Sequence, residues 1–252
     1  MTEPPEQGAA TTVDGSVNPI VRLLEEGQAV FGIFSGEHTR EQGVAMVSNR
    51  EADFVFYSLE SGPFDIPAME AYMEGLADGS AAEGTPPPPM ALRIPPIRDD
   101  PEAARRHARE GLDAGVDALV FPHVETPEEA ALAVELAGEA SWPGNPRGGL
   151  VNMLLIEDVV GIGNARPIAS TAGVSVVFPG PGDLRRAYDR DAEAVEDAIQ
   201  AVLAACRESG VPCGITAGVD DMAERLRQGF RVIIVTDPAA LTVGLRASGR
   251  IR

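Results

Sequence analysis

The stretch VSVVFPGPGDLRRAYD, residues 174–189, carries the reading on which the architecture turns. Val176, Val177 and Phe178 form an apolar run of strand length. It stops at once in Pro179, Gly180, Pro181 and Gly182, and a carboxylate, Asp183, follows. A strand apolar on both faces belongs to a sheet covered on both sides, as parallel sheets under helices are. The same kind of stop occurs upstream in VNMLLIED (151–158), where the run closes on Glu157 and Asp158.

Outward from these two segments the rhythm repeats. VFGIFSG (30–36), DFVFYSLES (53–61), MALRIP (90–95) and ALVFPHVE (118–125) each precede a helical pattern. So do PCGITAG (212–218) and FRVIIVTD (230–237). Helix starts are marked by Asp99 or Asp100 before Pro101 and by Thr126 before Pro127, with Glu128 and Glu129 favouring the positive end. Eight strand–helix units predict a (β/α)8 TIM barrel in one domain over residues 18–252, with a doubly wound sheet as the alternative. Residues 1–17 have no apolar core or basic segment and read as a flexible N-terminal arm rather than a signal peptide.

Composition narrows the partners. The net charge of −19 argues against nucleic acid and against an anionic membrane. No run approaches a membrane span, and a cytoplasmic enzyme is expected. Cys206 and Cys213, outside any metal-binding spacing, read as two structural thiols. All 20 basic residues are arginines, so no lysine is present to form a Schiff base.

In such barrels the reactive groups lie at the C-terminal strand ends. There, strand by strand, the sequence offers Ser35, Glu37 and His38, then Ser58, Glu60 and Ser61, then Arg93, then His123 and Glu125, then Glu157 and Asp158, then Asp183, Thr216 and Asp237, while the strand middles are apolar. Glu157 and Asp183 end adjacent runs. Two close carboxylates repel unless a cation lies between them, and hard oxygen donors suit Mg2+ or Mn2+. A helix cap for Asp183 and a solvated loop place for Glu157 are the alternatives. The PGPG segment suits a rigid turn whose amides, near Gly182 and Asp183, approach a small carboxylate; a plain tight turn stays open. Arg93 could pair with a substrate carboxylate or an enolate oxygen, or simply with a carboxylate of the barrel.

ALRIPP, FPHVETPEEA, LLIED and FPGPGDL, in that order, resemble the HpcH/HpaI aldolase/citrate lyase family. The resemblance runs from residue 28 onward. It implies a (β/α)8 barrel that cleaves or forms 4-hydroxy-2-oxo acids through a pyruvate enolate on a divalent metal. It implies Glu157 and Asp183 as metal ligands and Arg93 at the pyruvyl oxygen. Pro181 and Gly182 would hold the substrate carboxylate. The partners implied are a pyruvate-like 2-oxo acid and an aldehyde, and the family's habit is a homo-oligomer.

One segment departs from the family. Its aldolases carry Asp-Gly-Glu-His after the second strand, and here Ser58-Leu59-Glu60-Ser61 stands in that place. Glu60 survives, but serine is no base near neutral pH. His123 and His38 are the candidate replacements, with Glu60 helping to order a water on the metal; His107, mid-helix, reads as surface. Two other functions remain. A CoA-thioester lyase of the citrate-lyase branch would need a basic groove, for which only Arg105, Arg106 and Arg109 offer themselves. The other is a ligand-binding barrel that has lost its proton relay.

Overall fold

The computed structural model describes residues 18–251. The expected arm, residues 1–17, lies outside the described residues. The described chain begins with Asn18, fully buried, whose side chain accepts the Ile20 N–H and caps α1 (Pro19–Glu25). Its amide donates to the carbonyls of Asp117 at 3.1 Å and Gly149 at 2.7 Å, which ties the helix to the start of the sheet.

β1 (Val30–Phe34), α2 (Arg40–Met46), β2 (Phe54–Ser58), α3 (Ile66–Glu83), β3 (Met90–Arg93) and α4 (Pro101–Asp113) follow. Next come β4 (Ala118–Phe121), α5 (Pro127–Ala137), a two-residue β5 (Ser141–Trp142) and β6 (Leu150–Ile156). Two short helices, α6 (Val159–Gly163) and α7 (Ala165–Ala169), meet at Asn164 where the sequence suggested a single helix. The chain continues through β7 (Val176–Pro179), α8 (Pro181–Ala187), α9 (Ala192–Ser209) and β8 (Gly214–Thr216). It ends with α10 (Met222–Gln228), β9 (Val232–Val235) and α11 (Ala239–Ala247). The capping residues of α4 and α5 are Asp100 and Thr126, and Pro101 and Pro127 open those helices.

Every strand pair is parallel, and the sheet runs β8-β9-β1-β2-β3-β4-β6-β7, with β5 a side branch on β6. An isolated parallel bridge joins Val177 of β7 to Cys213, the residue just before β8. The two ends of this curled parallel sheet, consistent with a TIM-like barrel, thus come within pairing reach.

Although the strands read as continuously apolar, their alternate residues serve two cores. Phe31, Ile33, Val55, Tyr57 and Leu92 pack in the larger cluster with residues of the covering helices. Val30, Phe54, Phe56, Val120, Met153, Phe178 and Ile234 form the other, closed at one end by Ile20, Val21 and Leu23 of α1. Gly32 of β1 belongs to this packing. A Cβ there would sit 2.2 Å from Phe54 Cζ, so the missing side chain is what lets the neighbouring aromatic fill the space. Each fully buried Phe contributes roughly 1.5–3 kcal/mol by leaving water. Both cysteines are free and buried. No described helix is long and apolar enough to cross a membrane.

Candidate active site at the C-terminal strand ends

Parallel strands deliver their last residues to one rim, and strand order decides which side chains meet there. Around the sheet, β2, β3, β4, β6 and β7 are consecutive. The rim therefore presents Glu60, Arg93, His123, Glu157 and Asp183 in that order, although 123 positions separate the first from the last.

Arg93 is the last residue of β3 and is held on three sides. Its Nε donates to Ser58 Oγ at 2.9 Å, and its terminal nitrogen lies 2.9 Å from Glu60 Oε2. The guanidinium stands 5.3 Å from the centre of the Phe56 ring. Ser58, the departure from the family pattern, thus serves as a hydrogen-bond acceptor that orients Arg93.

Glu157 follows β6 directly and is only 2% exposed, which removes the solvated-loop alternative. Its Oε2 accepts the backbone N–H of His123 at 3.2 Å. Burial pushes its pKa up to about 7; Asp183 and Glu60 add to the rise, while His123 and Arg93 oppose it. Asp183 sits in the first turn of α8 and does not cap it, since Gly180 is the capping residue. Pro181 is the first helical residue and the prolines and glycines serve to turn strand into helix there. The Asp183 carboxylate pairs with Arg186, an exposed side chain three residues on.

His123 comes from the loop after β4 with a left-handed backbone, φ 54°. Its Nδ1 is 2.9 Å from Asp158 Oδ2, and Nε2 faces Glu60 Oε1 at 3.6 Å and Glu157 Oε2 at 3.8 Å. Burial opposes its charge, but Asp158, Glu157 and Glu60 together overcome it and raise the pKa. Arg98 reaches the same group, 2.5 Å from Glu125 and 3.9 Å from Asp158. From sequence, Asp158 is only one of several strand-end acids and Arg98 carries no role; the position of Asp158 directly after Glu157 is the available signal.

The other histidines do not join the cluster. His38 stacks on Tyr57 with ring centres 3.9 Å apart. His107, read as surface, is half-buried and stacks on Phe64 at 3.8 Å, and burial lowers its pKa.

Arg93, Glu157, Pro181, Gly182 and Asp183 line one cavity of about 410 Å3, together with Phe34, Phe56, Phe178 and Thr216. Glu60 and His123 are not among its lining residues and adjoin it through Arg93 and Glu157. A divalent cation suits the donors present. Glu157 Oε1 lies where a Cβ at Gly180 would stand, 2.1 Å away, so a glycine keeps room for that carboxylate. Glu157 is buried, and Asp183 and Glu60 both oppose its negative charge, a state that a hard cation relieves. One ligand atom each from Glu60, His123 and Glu157 also lies within 4.8 Å of the others.

A family model described as HpcH/HpaI aldolase/citrate lyase matches residues 38–236. The chain belongs to that family. A curated relative in Paraburkholderia phytofirmans, a hydroxypyruvate/pyruvate aldolase, is 25% identical over 247 residues, covering 86% of this family member and 90% of the relative. A 5-keto-4-deoxy-D-glucarate aldolase of Salmonella gallinarum is 32% identical over 199 residues, 69% of this chain and 72% of that one. Among solved structures, an HpcH/HpaI aldolase/citrate lyase family protein of Burkholderia cenocepacia superposes with TM-score 0.75 at 24% identity, covering 93% of this chain and 97% of that one. This HpcH/HpaI family member is thus an enzyme of the aldolase/lyase class.

Proposed function

We propose that the protein is a divalent-metal-dependent carbon–carbon lyase that cleaves or forms a 4-hydroxy-2-oxo acid through a pyruvate enolate. We further take its sheet to close as a single (β/α)8 barrel over residues 18–252; the bridge between Val177 and Cys213 supports closure. The observation that carries the catalytic reading is the buried Glu157 carboxylate, roomed by Gly180, with Arg93 and Asp183 lining the same cavity.

Glu157 and Asp183 are the residues that would hold Mg2+ or Mn2+. When bound, such an ion polarises a keto oxygen and holds negative charge at an enolate oxygen. Asp183 would leave Arg186, a contact that exposure makes weak. Arg93, fixed by Ser58 and Glu60, brings a second positive charge to the pyruvyl oxygen. The amides of Gly182 and Asp183, in a turn fixed by Pro181, would hold the substrate carboxylate. His123 takes the 4-hydroxyl proton at Nε2 in cleavage, with Asp158 selecting its tautomer and Glu60 orienting both His123 and Arg93.

The CoA-thioester reading has less support. Arg105, the first residue of the basic cluster it would need, pairs with Glu135 and Glu102 on the exposed side of α4. The test is exchange of the methyl protons of pyruvate into deuterated water, followed by NMR with and without Mn2+. Metal-dependent exchange is expected. A melting temperature raised by Mn2+ and pyruvate without any exchange would establish a ligand-binding barrel instead.

A further inference from the structure

Arg185 stands on α8 two residues beyond Asp183 and lines the cavity described above. Its neighbours are engaged: Arg186 with Asp183, and Arg93 with Glu60. Among the described residues, no carboxylate lies within ion-pair distance of Arg185. Other arginines also lack such partners, but they do not line this cavity. The same cavity is lined by Thr216, which ends β8, and Thr236, which follows β9. Another acid of the lining, Asp221, is already satisfied. It accepts the Gly218 N–H at 2.8 Å and lies 3.5 Å from Arg225.

The cavity thus offers polar groups beyond Arg93, Glu157 and Asp183. In the aldolase reading, on which this inference rests, Arg93, Glu157 and Asp183 take the pyruvate half of the substrate. The half released as an aldehyde then faces Arg185, Thr216 and Thr236. A protein of net charge −19 repels anions on average, so an unpaired guanidinium at the cavity offsets that field at one place. A guanidinium is a planar fork of donors that matches a carboxylate or phosphate. We infer that Arg185 is a specificity-determining residue that clamps an anionic terminus, carboxylate or phosphate, on the aldehyde fragment.

The test compares aldol addition of pyruvate to 5-oxopentanoate, glyceraldehyde 3-phosphate and pentanal, in the wild type and in Arg185→Gln and Arg185→Lys. The readout is the ratio of kcat/KM for each anionic aldehyde to that for pentanal. Loss of one charge-assisted contact predicts a fall of about tenfold or more in that ratio for Arg185→Gln, partly restored in Arg185→Lys. A fall for one anion alone identifies the terminus as carboxylate or phosphate. An unchanged ratio for both anions overturns the inference while leaving the aldolase reading intact. Absence of pyruvate proton exchange in the wild type overturns the aldolase reading, and this inference with it.

Discussion

The Cβ that Gly180 lacks would stand 2.1 Å from Glu157 Oε1, so a glycine on one strand connection sets the position of a buried acid on the next. Gly180 has φ −90° and ψ 94°, a backbone open to any residue. The cost of Gly180→Ala is therefore steric and falls on Glu157. The variant is expected to lose about 1–3 kcal/mol of stability by overpacking. It should also lose most of the stabilisation that Mn2+ gives the wild type. Thermal melts of both proteins with and without Mn2+ check this; an alanine variant that responds fully to the ion would contradict the assigned role of Glu157.

The raised pKa of Glu157, about 7, has a sign that can be measured. Its folded value lies above the ordinary glutamate value of 4.5, so the folded chain keeps the extra proton between those limits. The associated stability is complete below about pH 4.5 and is lost as pH climbs through 7, an effect of at most about 3 kcal/mol. A divalent cation has to displace that proton. Its stabilising effect should then grow from pH 6 to pH 8, reaching several degrees in Tm at saturating Mn2+. Melting curves across this range decide the point, and a metal effect that weakens with pH would refute it.

Arg93 and Glu60 form a partly shielded pair, each side chain 17% exposed. Removing the guanidinium leaves Glu60 beside Glu157 with one neutralising charge fewer. Arg93→Gln is expected to destabilise by roughly 1–3 kcal/mol, with much of the loss recovered in the double variant Arg93→Gln/Glu60→Gln. Urea titrations of the four proteins complete the cycle. Activity should stay low in both Arg93 variants, because neutralising Glu60 restores charge balance but supplies no cation to the oxyanion.

Much of this site was legible because strand ends are visible in one dimension. Apolar runs closing on Arg93, Glu157 and Asp183 mark those groups in the sequence as neighbours on a common rim. What stayed hidden depends on strand order or on local backbone. Glu60 and His123 meet because β2 and β4 both flank β3, which no local pattern encodes. The left-handed turn at His123 aims its ring back at Asp158, and a histidine carries little signal for φ 54°. The alternation of strand residues between two cores was likewise masked, since both faces are apolar. β5, two residues long, has too little sequence to show a period.

The contact between His123 Nδ1 and Asp158 Oδ2, at 2.9 Å, supplies what Ser58 and Ser61 cannot: an imidazole held by a carboxylate. His123→Asn keeps the left-handed backbone at low cost, because asparagine tolerates positive φ, and so isolates chemistry from folding. Aldol cleavage in that variant should fall by about 10²–10⁴ in kcat with little change in KM, the range for loss of a general base. Asp158→Asn removes the strongest interaction favouring the charged imidazole, so the His123 pKa should drop towards what burial alone dictates. The acid limb of the pH–rate profile should then move to lower pH, while peak activity falls through loss of the tautomer. Enolisation of pyruvate needs no 4-hydroxyl proton, so in both variants methyl exchange should suffer less than cleavage. An equal loss in the two assays would move His123 from proton transfer to a structural place beside Glu157.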